Sequence, residues 1–267
     1  MGNVELKHKP LPFRIELNVL NHLGLGLYSS TPAVMTEIIA NAWDADAKYV
    51  TITMSPKEKI ISIEDNGHGM DEDGVKNKFL SVGYSRRTND DSYGNFSRSG
   101  TRRVMGRKGI GKLAMFSLAE EIDVVTKERG KEAVAYRIDV EKLKKKLNSA
   151  APNREDTYSV DAIQVPADFN LEHGTRIILS RLKKNIERTE SFLRSRLARR
   201  FSLFKEDFEI KLNDKPVLRC DAGFYDDVQF LWCFDEATKA ELADLVTNIA
   251  TLPSAADPKV QEPCIRF

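Results

Sequence analysis

Apolar residues recur along this chain with two periods, and each change of period marks an expected element. Over residues 31–47, TPAVMTEIIANAWDADA, Val34, Ile38, Ala42 and Ala45 repeat at helical spacing. Thr31 before Pro32 is a helix start, a capping side chain followed by proline at the first helical position. YVTITM at 49–54 and KIISIED at 59–65 switch to period two across a polar turn at Ser55-Pro56, which predicts an antiparallel hairpin. A short helix is expected over about residues 73–80, broken at Gly83, inside a polar, glycine-containing segment, 71–105, of lid or binding-loop length. An apolar helix is predicted over 111–120, then a second hairpin from 121–128 and 132–140 across Arg129-Gly130. The charged stretch 141–150 reads as solvated, and strands follow at 158–166 and from Gly174. Beyond these come a helix over 186–204, a strand with an Asn-Asp turn over 208–218, and an amphipathic helix near 235–250. Residues 1–30 predict a short helical or irregular lead-in, broken at Gly24 and Gly26, an arm that could cover the core or reach a partner subunit.

The order helix, strand, strand, long loop, helix, then several strands predicts an α/β fold of the α+β kind. Its architecture is a two-layer sandwich, a mixed, mainly antiparallel sheet with helices on one face. Composition bounds this picture without changing it. A chain of 267 residues with 41% hydrophobic and 30% charged residues can bury a sizeable core. Its net charge is only +1, so no overall field points to nucleic acid, although a local basic patch is compatible with the sum. Cys220, Cys233 and Cys264 are widely spaced, unlike a metal knuckle or disulfide framework, and suit a reducing, cytoplasmic setting. No stretch of about 18 apolar residues and no basic-then-apolar leader is present, so neither membrane attachment nor secretion is expected.

Candidate chemistry gathers at three places. Glu37, Asn41 and Asp44 follow a four-then-three spacing, so one helical face presents two acids and an amide. The second strand of the first hairpin ends in Asp65-Asn66-Gly67-His68-Gly69-Met70, a short acceptor followed by glycines that leave room for close approach. Asp65 could accept from an amino group such as that of adenine, with Gly69 leaving space for the ring; His68 reads as a turn residue. Gly106, Gly109 and Gly111 precede a helix, where free backbone N–H groups can hold an anion. The stretch through Gly111-Lys112 approximates a P-loop. However, Leu113 stands where a hydroxyl should meet magnesium, no buried strand leads in, and parallel strand–helix units are lacking. The glycine order also excludes a dinucleotide fingerprint.

Taken in that order, the acid–amide helix, the Asp-x-Gly-x-Gly strand end, the polar segment and GRKGIGKLA resemble the gyrase/Hsp90/histidine-kinase/MutL ATPase superfamily with its Bergerat fold. The Hsp90-like and MORC-like branch looks nearest, and the resemblance covers roughly residues 15–182. It implies ATP and Mg2+ as ligands. By position, Glu37 would be the catalytic base and Asn41 the magnesium ligand, with Asp44 supporting the site. Asp65 would read adenine, with Gly67, Gly69 and Met70 shaping the base pocket. Gly106, Gly109, Ile110 and Gly111 would form the phosphate loop, Lys112 could reach a phosphate, and Thr175 would help hold the adenine side. The resemblance further implies a lid over about 71–105, an ATP-dependent homodimer, and a downstream domain or partner protein, with residues 183–267 as a linking helix and the start of a following region. Glu37 argues against histidine-kinase activity. Two alternatives stand beside hydrolysis: a nucleotide-binding switch with negligible turnover, and a nucleic-acid-binding module using the arginines near 98–108 and 181–200.

Overall fold

The computed structural model describes residues 11–14, 31–81, 95–106, 111–148, 157–187, 189–201, 208–224, 228–233, 235–243, 246 and 248–251. Its contacts divide the chain into two units, Met1–Val217 and Leu218–Phe267.

In the larger unit, strand β1 (Leu11–Arg14) precedes helix α1 (Thr31–Asp44) and the hairpin β2 (Tyr49–Ser55) and β3 (Ile60–Asp65). Helix α2 begins as one α-turn, Glu72–Gly74, capped by the Asp71 carboxylate, and runs into a π-helical turn, Val75–Phe79. A 3-10 turn, Gly111–Ala114, leads to the short helix α3 (Met115–Leu118) and the long strand β4 (Ala119–Lys127). Then follow β5 (Val134–Asp139), α4 (Val140–Asn148), β6 (Thr157–Ala162), β7 (Gly174–Leu182), α5 (Glu190–Phe201), β8 (Glu209–Leu212) and β9 (Lys215–Pro216). The sheet order is β1-β6-β5-β4-β7-β3-β2-β8-β9, antiparallel throughout except where β8 lies parallel to β2. The chain therefore has a mixed, mainly antiparallel sheet with helices packed on one face, the Bergerat arrangement.

The core follows the two periods. Val50, Ile52 and Met54 of β2 and Ile61 and Ile63 of β3 point inward, while α1 buries Val34, Met35, Ile38, Ile39, Ala42 and Trp43. α1 also packs against α5 and the Gly111–Ala114 turn.

Several local expectations change. The part of the lead-in that is described is strand β1, paired antiparallel with β6 at the sheet edge. Four residues including Pro12 carry too little pattern to announce a strand, and an edge is where proline is tolerated. The charged stretch after residue 140 is not merely solvated: it forms α4, which buries Val140 and Leu143 at helical spacing beneath its lysines. The helix after the glycine loop ends at Leu118, because Ala119 is already extended and β4 begins there. The sheet also continues past residue 182. Asn213 and Asp214 take left-handed backbone to turn β8 into β9. The Asn213 amide oxygen accepts from Met54 N–H (2.8 Å), and its amide nitrogen donates to Glu190 (2.9 Å).

The smaller unit holds a 3-10 turn, Arg219–Ala222, strands β10 (Leu231–Cys233) and β11 (Ile249–Thr251) in parallel, and helix α6 (Glu236–Leu242), capped by Asp235. The amphipathic helix expected over 235–250 thus ends early, and its last residues belong to β11. Among the described residues no helix is long and apolar enough to cross a membrane.

Candidate functional site

Helix α1 carries Glu37, Asn41 and Asp44 and fastens two neighbouring segments. Glu37 is half-buried, and burial raises its carboxyl above the ordinary range; the Arg200 charge opposes this and the Asp44 charge adds to it. Asn41, one turn on, is exposed. Asp44 is buried, and its two oxygens accept the backbone N–H groups of Met105 (2.6 Å) and Gly106 (2.9 Å). The end of the polar segment, where the glycine loop begins, is therefore tied to the last turn of α1. The tie is broad. Trp43 Nε1 donates to the Arg103 carbonyl (2.9 Å), and the buried Arg102 guanidinium lies 4.3 Å over the Trp43 ring while donating to the Ala47 carbonyl. Asp46 accepts both the N–H (2.8 Å) and the hydroxyl (2.7 Å) of Ser99. Burial works against its charge, yet hydrogen bonds from Ser97 and Ser99 and the nearby Arg102 hold its carboxyl below the usual range.

The loop after β3 meets the same end of α1. His68 N–H donates to the Ala45 carbonyl (2.8 Å), and a Cβ on Gly67 would come within 2.8 Å of Ala45 Cβ. Gly69 has a φ of 64°, and any side chain there would run into the Lys127 carbonyl 1.9 Å from its Cβ position. Asn66 accepts from the N–H groups of Lys48 (2.8 Å) and Tyr49 (3.0 Å), fixing the loop to the start of β2.

Asp65 lies in register with Thr175 of β7, which in turn faces Thr126 of β4. Its Oδ1 accepts from Gly67 N–H (2.7 Å). Part of the residue keeps open surface, but the carboxyl is deeply seated. Burial pushes it up to about 7 against the Gly67 hydrogen bond, with the Glu64 charge adding and a Thr175 backbone hydrogen bond opposing. Thr126 is fully buried. Its hydroxyl donates to the Gly174 carbonyl (3.1 Å), accepts from Met70 N–H (2.9 Å), and lies 3.0 Å from the Thr175 hydroxyl. A recessed carboxyl with an amide loop on one side and hydroxyls on the other suits a planar, amino-bearing ligand.

The sequence profile described as "Histidine kinase-, DNA gyrase B-, and HSP90-like ATPase" matches residues 28–175, more than half the chain. The chain belongs to this ATPase family. Among similar proteins, "Putative type II restriction enzyme HgiDII" of Herpetosiphon aurantiacus is 37% identical over 221 residues, 81% of this chain and 34% of that protein. "Chaperone protein HtpG" of Campylobacter jejuni is 29% identical over 139 residues, 44% of this chain and 22% of the chaperone. HtpG of Mesorhizobium japonicum is 24% identical over 219 residues, 70% of this chain and 30% of the chaperone. The chain thus spans about a third or less of the length of these relatives. The two chaperones are weak evidence for the Hsp90 side of the family, and none of the three speaks for the MORC-like side.

Within this ATPase family member, the residues singled out from sequence fall into two groups that α1 joins. Glu37, Asn41 and Asp44 share the helix, and Asp44 reaches Gly106; Asp65, Gly67, Gly69, Met70 and Thr175 meet where β3 and β7 run side by side. Gly111 opens the 3-10 turn. Gly109 and Ile110 lie outside the described residues, as do the Lys112 side chain and residues 82–94 of the expected lid. Three contributors were missed from sequence: Asp46, which holds Ser99; Asn66, which anchors the Gly67–Gly69 loop to β2; and Thr126, which couples Met70 to Thr175. Thr126 gave a faint signal as the one hydroxyl in the otherwise apolar run Val124-Val125-Thr126. Among the described residues no group of His, Cys, Asp and Glu forms a metal site.

Proposed function

We propose that this chain is a magnesium-dependent ATPase domain that binds ATP between the Asp65 pocket and the glycine loop at 106–112 and hydrolyses it to ADP and phosphate. The observation that carries the reading is that one helix bears Glu37, whose carboxyl is raised toward a base's working range, and also holds both nucleotide-facing segments. It does so through Asp44 to Met105 and Gly106, and through Ala45 to the Gly67-His68 peptide. Asp65 accepts from the adenine amino group, and Gly69 leaves the ring plane clear. Glu37 takes a proton from the attacking water or orients it. By the family resemblance, backbone N–H groups of the glycine loop would stabilise the developing charge on the terminal phosphate. The exposed Asn41 amide oxygen is a fitting hard ligand for Mg2+, which keeps several waters and would neutralise phosphate charge when bound.

We further infer that residues 71–105 act as a lid responsive to the terminal phosphate, and that closure promotes a homodimer and passes the change to a downstream domain or partner. Support comes from the way its returning part, 95–105, is fastened at the C-terminal end of α1, to Trp43, Asp44 and Asp46. HgiDII's name suggests a DNA-handling process for the whole protein, a proposal that rests on that name and the 37% identity. The alternative of a nucleic-acid module draws less support, because several arginines it would use have partners within the chain. Arg98 pairs with Glu128, Arg102 covers Trp43, Arg181 pairs with Glu120, and Arg194 donates to the Leu212 and Pro216 carbonyls. A switch with negligible turnover shares the binding chemistry and differs only at the water attack.

Calorimetry tests the placement of the base. Asp65→Asn is expected to weaken ATP and ADP binding alike, by about tenfold or more, since the side-chain oxygen that remains is held by Gly67 N–H and the new NH2 group opposes the adenine amino group, while the glycine loop is untouched. Parent-like binding of both nucleotides would sink the base pocket. Strong, salt-dependent DNA binding that needs no ATP and survives Asp65→Asn would favour the nucleic-acid reading instead. Asn41→Ala is expected to lose the magnesium dependence of binding, and a parent that binds ATP equally well in chelator would contradict that role.

A further inference from the structure

Beside the Gly67 loop opens a cleft of about 390 Å3, lined in part by Asp46, His68, Arg98, Glu128, Arg129 and His173. Its carboxylates and arginines are engaged with one another or with the polar segment: Arg98 with Glu128 at 2.9 Å, and Asp46 with Ser99. The informative member is His173, the residue just before β7. Its Nδ1 lies 2.6 Å from the Gly67 carbonyl oxygen, and its Nε2 lies 2.7 Å from Nη2 of Arg129. A carbonyl only accepts and a guanidinium only donates. Both contacts are satisfied by one imidazole state: neutral, with the proton on Nδ1 and the lone pair on Nε2. Arg129, at the β4–β5 turn, is steadied by Glu172 at 3.6 Å.

The peptide that joins Gly67 to His68 is consequently held at both ends, its N–H by the Ala45 carbonyl and its C=O by His173. The preceding N–H, that of Gly67 itself, donates to Asp65. Gly67 has no side chain to hold it, so these hydrogen bonds set its orientation and with it the direction of the N–H that fixes the Asp65 carboxylate. We propose that His173 is a positioning residue for base recognition, acting through the Gly67 carbonyl to fix the Gly67–Asp65 hydrogen bond, with Arg129 setting its tautomer. The inference rests on the ATPase reading, in which Asp65 meets adenine, and adds a residue and a contact outside the pocket.

Three variants and one spectrum test it. His173→Asn keeps an N–H donor near the position of Nδ1, whereas His173→Leu fills the space without one. In steady-state and binding assays, H173L is expected to raise KM for ATP and Kd for ATP and ADP about tenfold, to narrow the preference for ATP over GTP, and to leave kcat within about twofold; H173N should regain most of the affinity. Nitrogen-15 NMR of the imidazole rings in the nucleotide-free parent should show the Nδ1–H tautomer for His173, assigned among the four histidines by its loss in H173N. An Nε2–H tautomer, parent-like affinity in H173L, a fall in kcat at constant KM, or H173N behaving as H173L would each overturn the proposal. Should H173L not fold, Arg129→Leu is expected to raise KM in the same direction by a smaller factor, and an unchanged KM there overturns it equally. A parent that binds no nucleotide would instead overturn the ATPase reading and the positioning role together, whatever tautomer the spectrum shows.

Discussion

At Asp65 burial pushes the carboxyl up to about 7, so in the nucleotide-free protein at neutral pH it carries a proton about half the time. An amino group donating into the pocket favours the carboxylate, and ATP binding near pH 7 should therefore release a proton. Calorimetry in buffers of different ionisation enthalpy is expected to detect that release, and the affinity should fall as pH drops from 8 to 6; a pH-independent affinity would contradict it. The same group sets a stability signature. A carboxyl whose folded value is raised binds more protons folded than unfolded between about pH 4 and 7, so its contribution worsens as pH rises through that window. Asp65→Asn removes the buried charge and should stabilise the nucleotide-free protein at pH 8, by on the order of a few kcal/mol, read as a higher Tm. That gain should shrink steadily as pH falls through the window and vanish only below about pH 4; an equal difference at pH 8 and pH 5 would contradict it. Glu37 is raised as well by burial, and in its proposed role as base it must be ionised, so turnover is expected to decline on acidification at a higher pH than an ordinary glutamate would give.

Among the elements, the junction of α1 with 95–106 is where sequence said least. Glu37, Asn41 and Asp44 were legible because helical spacing alone puts them together. The partners of Asp44 lie some sixty residues on, and nothing local announces that it accepts Met105 and Gly106 or that Trp43 sits under Arg102. The strands around Asp65 were readable from period two, whereas β1 was too short to carry a pattern and α4 hid its Val140 and Leu143 contacts among lysines. Asp44→Ala leaves two backbone N–H groups without their acceptor and should cost about 1–3 kcal/mol in denaturant unfolding. Amide exchange at Met105 and Gly106 should quicken by the corresponding factor, with Asp44→Asn intermediate. Unchanged exchange at those two amides would contradict the tether.

For the whole molecule, the order of motifs along the chain made the architecture legible, since helices on one face of a mainly antiparallel sheet follow from it. The extent of the compact unit was not legible: β8 pairs with β2 across more than 150 residues, and only the folded sheet brings them side by side. Lid closure and pairing are tested by sedimentation and amide exchange on the free chain, with ADP, and with a non-hydrolysable ATP analogue. Added protection within 85–108, beyond that of the amides already bonded to Asp44 and Asp46, and a shift toward dimer are expected with the analogue alone; equal exchange in all three states would eliminate the lid, and an unchanged monomer would eliminate its coupling to pairing. The account stands or falls on hydrolysis. Phosphate release should be measured for the parent and Glu37→Ala under saturating ATP and Mg2+, with ATP affinity determined for both. The expected result is equal binding and a loss of turnover of at least about a hundredfold in the variant. Equal turnover in the two proteins would remove Glu37 from the chemistry, and no phosphate release by the parent would leave a nucleotide-binding switch in place of the ATPase.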